Sequence, residues 1–158
     1  MKRNISFHRV SWFDCLFLYH LRNQPETYKF FRNNFPVRFH DHFQWFRKLM
    51  SGKSNKQLFV VILNSTKVGQ IRFDKIEKDG AEISISILKD YMGQNIMSSV
   101  FFDVARAYLI KNPEINKLYA NIILNNIPSI NLFKKLKFKK TKRKNHEWVY
   151  LKKRDKIL

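Results

Sequence analysis

Residues 91–99 of this 158-residue chain read YMGQNIMSS, a polar kink holding Gly93 between the alternating run AEISISIL and an apolar stretch with helical spacing. A strand, a glycine-containing turn and a helix together present backbone N–H groups, and the positive end of a helix dipole, to a phosphate. Ser98 and Ser99 add hydroxyls at the helix start. Phosphate loops usually carry more glycine, so three readings stand side by side: a working cradle, a damaged one and a plain turn. On the preceding strand, alternation puts Glu82, Ser84 and Ser86 on one side and Ile83, Ile85 and Ile87 on the other. Glu82 and Ser84 could relay a proton there, although a polar strand face against solvent or a helix explains either residue alone.

Five histidines, His8, His20, His40, His42 and His146, invite a metal reading. His40 and His42 lie two apart on a predicted helix and point in different directions, so no metal site is expected. His42 and Trp45 could face a pocket, with a helix-surface histidine as the plainer alternative. Arg22 and Asn23, where a predicted helix gives way to Pro25, form a candidate pocket wall. The lone Cys15 permits no internal disulfide and falls within the first helix.

The formal charge is +19, and eight of the eleven residues in KKLKFKKTKRK (134–144) are Lys or Arg. Such a run attracts polyanions; alternating lysines also suit a solvated edge strand. The apolar fraction of 44% provides for a packed core and argues against disorder. The run CLFLYHL is too short to span a bilayer, and the N-terminus lacks the apolar segment of a signal peptide. One cytoplasmic domain over 1–158 is expected.

Period and punctuation then place the elements. NISFHRV (4–10) alternates as a first strand. Ser11 and Asp14 resemble a capping box before a helix through CLFLYHLRN. PETYKFFRNN predicts a short second helix with Pro25 in its first turn. FHDHFQWFRKLM predicts a third, ended by Gly52, with Phe39, Phe43, Phe46 and Leu49–Met50 as its core stripe. Strands at 57–64, along STKVGQIRFDKIE and at 81–88 form a three-stranded antiparallel meander. Ile96, Val100, Phe101, Val104, Tyr108 and Leu109 mark a long amphipathic helix. A strand (117–124), a short helix IPSINLFKKL and strands near 138–144 and 146–152 complete a mixed α/β layer.

That order, with a phosphate-type turn before the long helix, resembles the GNAT family of acetyl-CoA-dependent N-acetyltransferases. The resemblance covers most of the chain and implies a central, mostly antiparallel sheet of about seven strands flanked by four to five helices. The family's cofactor motif is Arg or Gln, two residues, Gly, one residue, then Gly or Ala; here the stretch is Met92-Gly93-Gln94-Asn95-Ile96-Met97. A second element, Asn, two residues, Ala or Ser, then Tyr, ending in Gly-Phe, reads Asn126, Ser129, Phe133 and Lys137-Phe138. Met92, Asn95, Met97, Phe133 and Lys137 depart from the pattern. Within the family, 21–46 looks most like N-acetyltransferases acting on amino sugars of nucleotide sugars, such as that of pseudaminic-acid biosynthesis.

The resemblance implies acetyl-CoA as co-substrate and a primary amine as acceptor, without metal. Its cofactor residues would be Ile85, Ser86 and Ile87 along the pantetheine arm, Met92 to Ser98 at the diphosphate, and Asn126 and Phe133. Glu82 and Ser84 would be catalytic, and Arg22, Asn23, His42 and Trp45 would meet the acceptor. Asn95 tolerates left-handed geometry, Lys89 partly replaces the cation lost at Met92, and Met97 would crowd the phosphates, so the loop reads as a weakened cradle. Phe133 falls where many members use Tyr to protonate the departing thiolate, which implies a slower enzyme or another donor. Lys137 in place of a helix-ending Gly costs roughly 1 kcal/mol or slightly more. A catalytically lapsed binding module ranks second and a basic nucleic-acid binder third; a homodimer stays open.

Overall fold

The computed structural model describes residues 3–144 and 146–158. Its elements run β1 (Ile5–Arg9), a 3-10 turn (Trp12–Asp14), α1 (Cys15–Asn23), α2 (Pro25–Tyr28), α3 (Phe39–Met50), β2 (Lys56–Leu63), β3 (Thr66–Lys75), β4 (Gly80–Ile87), α4 (Ile96–Lys111), β5 (Lys117–Ile123), α5 (Ile127–Lys135), β6 (Lys139–Lys144) and β7 (Glu147–Lys153). The seven strands form one sheet in the order β1-β2-β3-β4-β5-β7-β6. Every pairing is antiparallel except β4 with β5, joined by the crossover through α4. The expected mixed α/β architecture, its meander and its seven strands are all present.

Each sheet face packs its own helices, because β2 carries apolar residues on both sides while β3 and β4 turn Ile71, Phe73 and Ile83 to α4 alone. On one face α4 lays Phe101, Val104, Ala105 and Tyr108 over Ile71, Phe73 and Ile83. The rings of Phe73 and Tyr108 stack 4.2 Å apart. Burial pushes the Tyr108 phenol up to about 12, so this hydroxyl stays protonated. On the other face Leu18 and Leu21 of α1 and Phe46 and Leu49 of α3 cover Leu58 and Val60.

Two local expectations are corrected. The second helix stops at Tyr28. Isolated turns follow, with Phe30 N–H on Thr27 and Phe31 N–H on Tyr28, and Arg22 Nη2 holds the Asn33 carbonyl at 3.2 Å. The buried line of α3 runs His42, Phe46 and Leu49, while Phe39 and Phe43 are exposed. A polar residue takes the core position because His42 Nε2–H donates to the Cys15 carbonyl at 3.0 Å, tying α3 to α1. The expected capping box is present: the Asp14 carboxylate accepts the Ser11 N–H at 2.8 Å and the Ser11 hydroxyl at 3.0 Å. That carboxylate is fully buried, with Lys67 Nζ at 2.6 Å and His8 Nε2 at 3.0 Å. Lys137 does adopt φ 61°; the buried Lys152 ammonium donates to the Leu136 carbonyl beside it at 2.9 Å.

Candidate active site

β4 and β5 pair only at Gly80–Lys117, Ala81–Leu118 and Glu82–Tyr119. Beyond Glu82 the strands part, and a cleft of about 880 Å³ opens between them, from the α1–α3 side of the sheet to the start of α4. Leu88 N–H bonds Val68, so residues 82, 84, 86 and 88 turn their backbone groups to β3. By alternation Ile83, Ile85 and Ile87 turn theirs into the cleft. The side chains follow the other alternation, Ile83, Ile85 and Ile87 toward α4 and Glu82, Ser84 and Ser86 toward α1 and α3.

The loop at the head of α4 holds two left-handed residues, Gly93 at φ 74° and Asn95 at φ 61°. Asn95 is the helix N-cap, and its carbonyl accepts from Ser98 and Ser99. Among the described residues, no protein acceptor receives the backbone N–H groups of Gly93, Gln94, Asn95, Ile96, Met97 or Ser98. A Cβ built on Gly93 meets nothing within 4 Å. The loop is therefore an open array of donors at a sixteen-residue helix's positive end.

The crowding expected from Met97 is corrected. Its side chain is 5% exposed and turns into the core, where its Cε fills the space a Cβ on Gly69 would need. The cation expected from Lys89 is corrected too, since that ammonium pairs with Glu26 at 3.2 Å. Lys135 reaches the loop instead, donating to Asn95 Oδ1 at 2.8 Å, and Arg3 donates to the Gln94 carbonyl at 3.0 Å.

Glu82 and Ser84 line the cleft where the strands part. β3 sets Asp74 opposite Glu82, Arg72 opposite Ser84 and Gln70 opposite Ser86. Arg72 grips Asp74 through Nε and Nη2 at 2.7 and 3.0 Å, and Lys56 holds the same carboxylate at 2.7 Å. Glu82 has no ion-pair or hydrogen-bond partner among the described residues, which leaves its lone pairs free toward the cleft. Arg72 and Asp74 escape notice on a strand read only as part of the meander; polar residues at every second position of QIRFD carry the signal.

The four acceptor candidates separate. Arg22 lines both the main cleft and a side cavity of about 260 Å³, together with Phe31 and Arg72. His42 and Trp45 line the side cavity alone. His42 is buried rather than on the helix surface, and burial holds its imidazole below the usual value. Asn23 faces neither cavity, because its amide is spent on both backbone groups of Val37 at 2.8 and 2.9 Å. Gln24, beside it, bridges the end of β4: its Nε2 donates to the Ile87 carbonyl at 2.7 Å and its Oε1 accepts the Lys89 N–H at 3.1 Å. Arg32, in the segment between α2 and α3, crosses to Glu147 of β7 at 3.3 Å, and both line the cleft.

Asn126 caps α5, its Oδ1 accepting the Ser129 N–H at 3.2 Å, which leaves Nδ2 toward the cleft it lines. Phe133 borders the same cleft but is buried, edge-on to Phe138 with centroids 5.0 Å apart. Ser129 and Tyr91 are among the hydroxyl-bearing residues that line the same cleft, with Thr27, Ser84, Ser86 and Ser98. The basic run divides between the end of α5 and the edge strand β6, with Lys140 Nζ over the Trp148 ring at 3.3 Å. Among the described residues, no group of three potential metal ligands converges, and no helix is long and apolar enough to cross a membrane.

Comparison with known proteins places this arrangement. Residues 7–139 match the family described as the acetyltransferase (GNAT) domain. The chain is 32% identical over 135 residues to the uncharacterized protein MJ1062 of Methanocaldococcus jannaschii, a match covering 82% of the chain and 27% of that relative. The crystal structure of a domain from the same organism superposes with a TM-score of 0.80 at 31% identity, covering 96% of this chain and 99% of that one. Spermidine N-acetyltransferase from Vibrio cholerae, in complex with coenzyme A and spermine, gives a TM-score of 0.81 at 16% identity, covering 97% of each chain. Aminoglycoside acetyltransferase AAC(6')-Ib in complex with coenzyme A gives 0.82 at 11%, covering 97% and 96%; these last two likenesses concern the fold. With most of its length matched and its sheet parted beside the head of α4, the chain belongs to the GNAT acetyltransferase family.

Proposed function

We propose that the whole 158-residue chain works as one domain that moves an acetyl group from acetyl-CoA to a primary amine, the amine being that of an amino sugar carried on a nucleotide. The observation that supports this most is the row of unpartnered N–H groups from Gly93 to Ser98, in a loop that lines the cleft. Coenzyme A or acetyl-CoA accompanies the spermidine and aminoglycoside acetyltransferases of the same fold, and the residues present here fit such a ligand.

Acetyl-CoA would supply an activated thioester carbonyl with a thiolate as leaving group. The N–H groups of the loop would hold its diphosphate, and the cleft-facing backbone of Ile85 and Ile87 its amide-bearing arm, beside Asn126 Nδ2. Gln24 already occupies the Ile87 carbonyl, so Ile85 and the Ile87 N–H are the groups left on that edge. The amine must be neutral to attack, and Glu82, unpaired at the point of divergence, is the base that takes its proton, with Ser84 able to relay it. Phe133 has no proton to return to the thiolate. A thiol pKa near roughly 8.5 makes that leaving group tolerable without a strong acid.

The test is a thermal-shift series with acetyl-CoA and free coenzyme A, joined to thiol release against a panel of amines. Stabilisation by both coenzyme forms together with thiol release supports the enzyme. Binding without release supports a second reading, a binding protein that has lost its chemistry, which the hydroxyl-free Phe133 favours. No stabilisation and no release would reject both.

A further inference from the structure

The geometry points to an acid-binding subsite at Arg22 and Arg72, so that the acceptor is an amine carrying a compact anionic group, phosphate or carboxylate. The inference rests on the acyl-transfer reading and names the acceptor's class. Arg22 Nη1 is buried and has no partner. Its Nη2 donates to the Asn33 carbonyl at 3.2 Å, and its guanidinium lies 4.3 Å from the Phe31 ring centre. Burial and the nearby Arg72 both weaken its hold on the proton. Two guanidinium groups thus share one wall between the main cleft and the side cavity, with one donor edge unused.

The acids around them leave that wall positive. Asp74 takes Arg72 Nε and Nη2 and is shared with Lys56, so those three groups keep one net positive charge beside Arg22, and Asp41 is taken by Arg38 at 3.0 Å. His42 stays neutral because burial lowers it, so it adds no cation. The free acid of the cleft is Glu82, which stands one side-chain position further along the same sheet face than Ser84, the register partner of Arg72. A free carboxylate and an unused guanidinium edge in one cleft suit an acceptor that carries an amine and an acid on one small scaffold. A polyamine would bring a second positive charge against Arg22 instead.

The experiment compares glucosamine, glucosamine 6-phosphate, muramic acid and spermidine as acceptors, by thiol release, and measures binding of the same four by calorimetry without acetyl-CoA. The expected result is kcat/KM about tenfold to a hundredfold higher for the phosphate or carboxylate amine than for glucosamine, with spermidine lowest. The two acidic arms tell which anion the wall prefers. Arg22→Gln should bring the acidic-to-neutral ratio near unity, and Arg22→Lys should keep much of it, which guards against a variant that merely misfolds. Equal turnover of glucosamine and both acidic amines, or a ratio indifferent to Arg22→Gln, would overturn the subsite while leaving acyl transfer intact. Arg22-dependent binding of an acidic amine without thiol release would uphold the subsite and remove the acyltransferase. If no amine binds in an Arg22-dependent way and none is acetylated, both ideas fall.

Discussion

Met97 and Gly69 are fitted to one another across the sheet: the Met97 methyl lies where a side chain on Gly69 would begin. The residue expected to crowd the phosphate loop is therefore a core residue, and the loop's donors stay open. Gly69→Ala should collide with the Met97 tip and with the Ser86 carbonyl, costing about 1–3 kcal/mol in urea unfolding. Met97→Gly should destabilise by about 2–5 kcal/mol through the cavity it leaves, without enlarging the thermal shift given by acetyl-CoA. An enlarged shift would show that Met97 obstructs the loop after all.

Gly93 stands in open space at positive φ, so Gly93→Ala tests the loop more than the fold. The substitution should cost about 1–2 kcal/mol of stability from left-handed strain. The rise in Tm produced by saturating acetyl-CoA should shrink by more than that loss explains.

Phe133→Tyr would restore a hydroxyl at the cleft wall. General acids typically contribute on the order of 10²–10⁴ in rate, and the packing against Phe138 admits only part of that, so a rise of about tenfold in kcat is expected from thiol-release kinetics. Unchanged kcat would mean that another group already protonates the thiolate, Ser129 and Tyr91 being two hydroxyls on the cleft wall.

Acid should destabilise the protein in two stages, followed by urea unfolding from pH 8 to pH 3. Burial keeps His42 below its ordinary value, so the unfolded chain takes up a proton first and stability falls as pH drops through about 6.5. His42→Gln should remove this upper stage. Burial opposes ionisation of Asp14, but Lys67, the Ser11 N–H, His8 and the Ser11 hydroxyl outweigh it and hold the carboxyl below the usual range. Its contribution is complete above the unfolded value of about 4 and disappears as pH falls through the lower folded value. Asp14→Asn should cost about 3 kcal/mol at pH 7 by leaving Lys67 without its buried partner, and less at pH 3.

The order of elements along the chain was readable because each announces itself locally: alternation on 81–88, the apolar stripe of α4, the capping box of Ser11 and Asp14. The direction of Met97 was not, because it depends on a glycine twenty-eight residues earlier on another strand. Composition also misleads on α3, where two phenylalanines face outward and a histidine goes inside for one hydrogen bond to α1. Asn23 looks like a ligand contact and is a clasp for Val37. Gln24, unremarkable in the sequence, closes the end of β4. Arg72 and Asp74 acquire meaning only from their register with Ser84 and Glu82, which a linear reading supplies for each strand but not between them.

Arg32 and Glu147 join the segment before α3 to β7 over the mouth of the cleft by one surface ion pair, with the arginine side chain 81% exposed. Such a clasp holds by less than about 1 kcal/mol and weakens in salt. Thermal motion therefore parts it readily without any helix melting, so salt loosens the hold of that segment on β7.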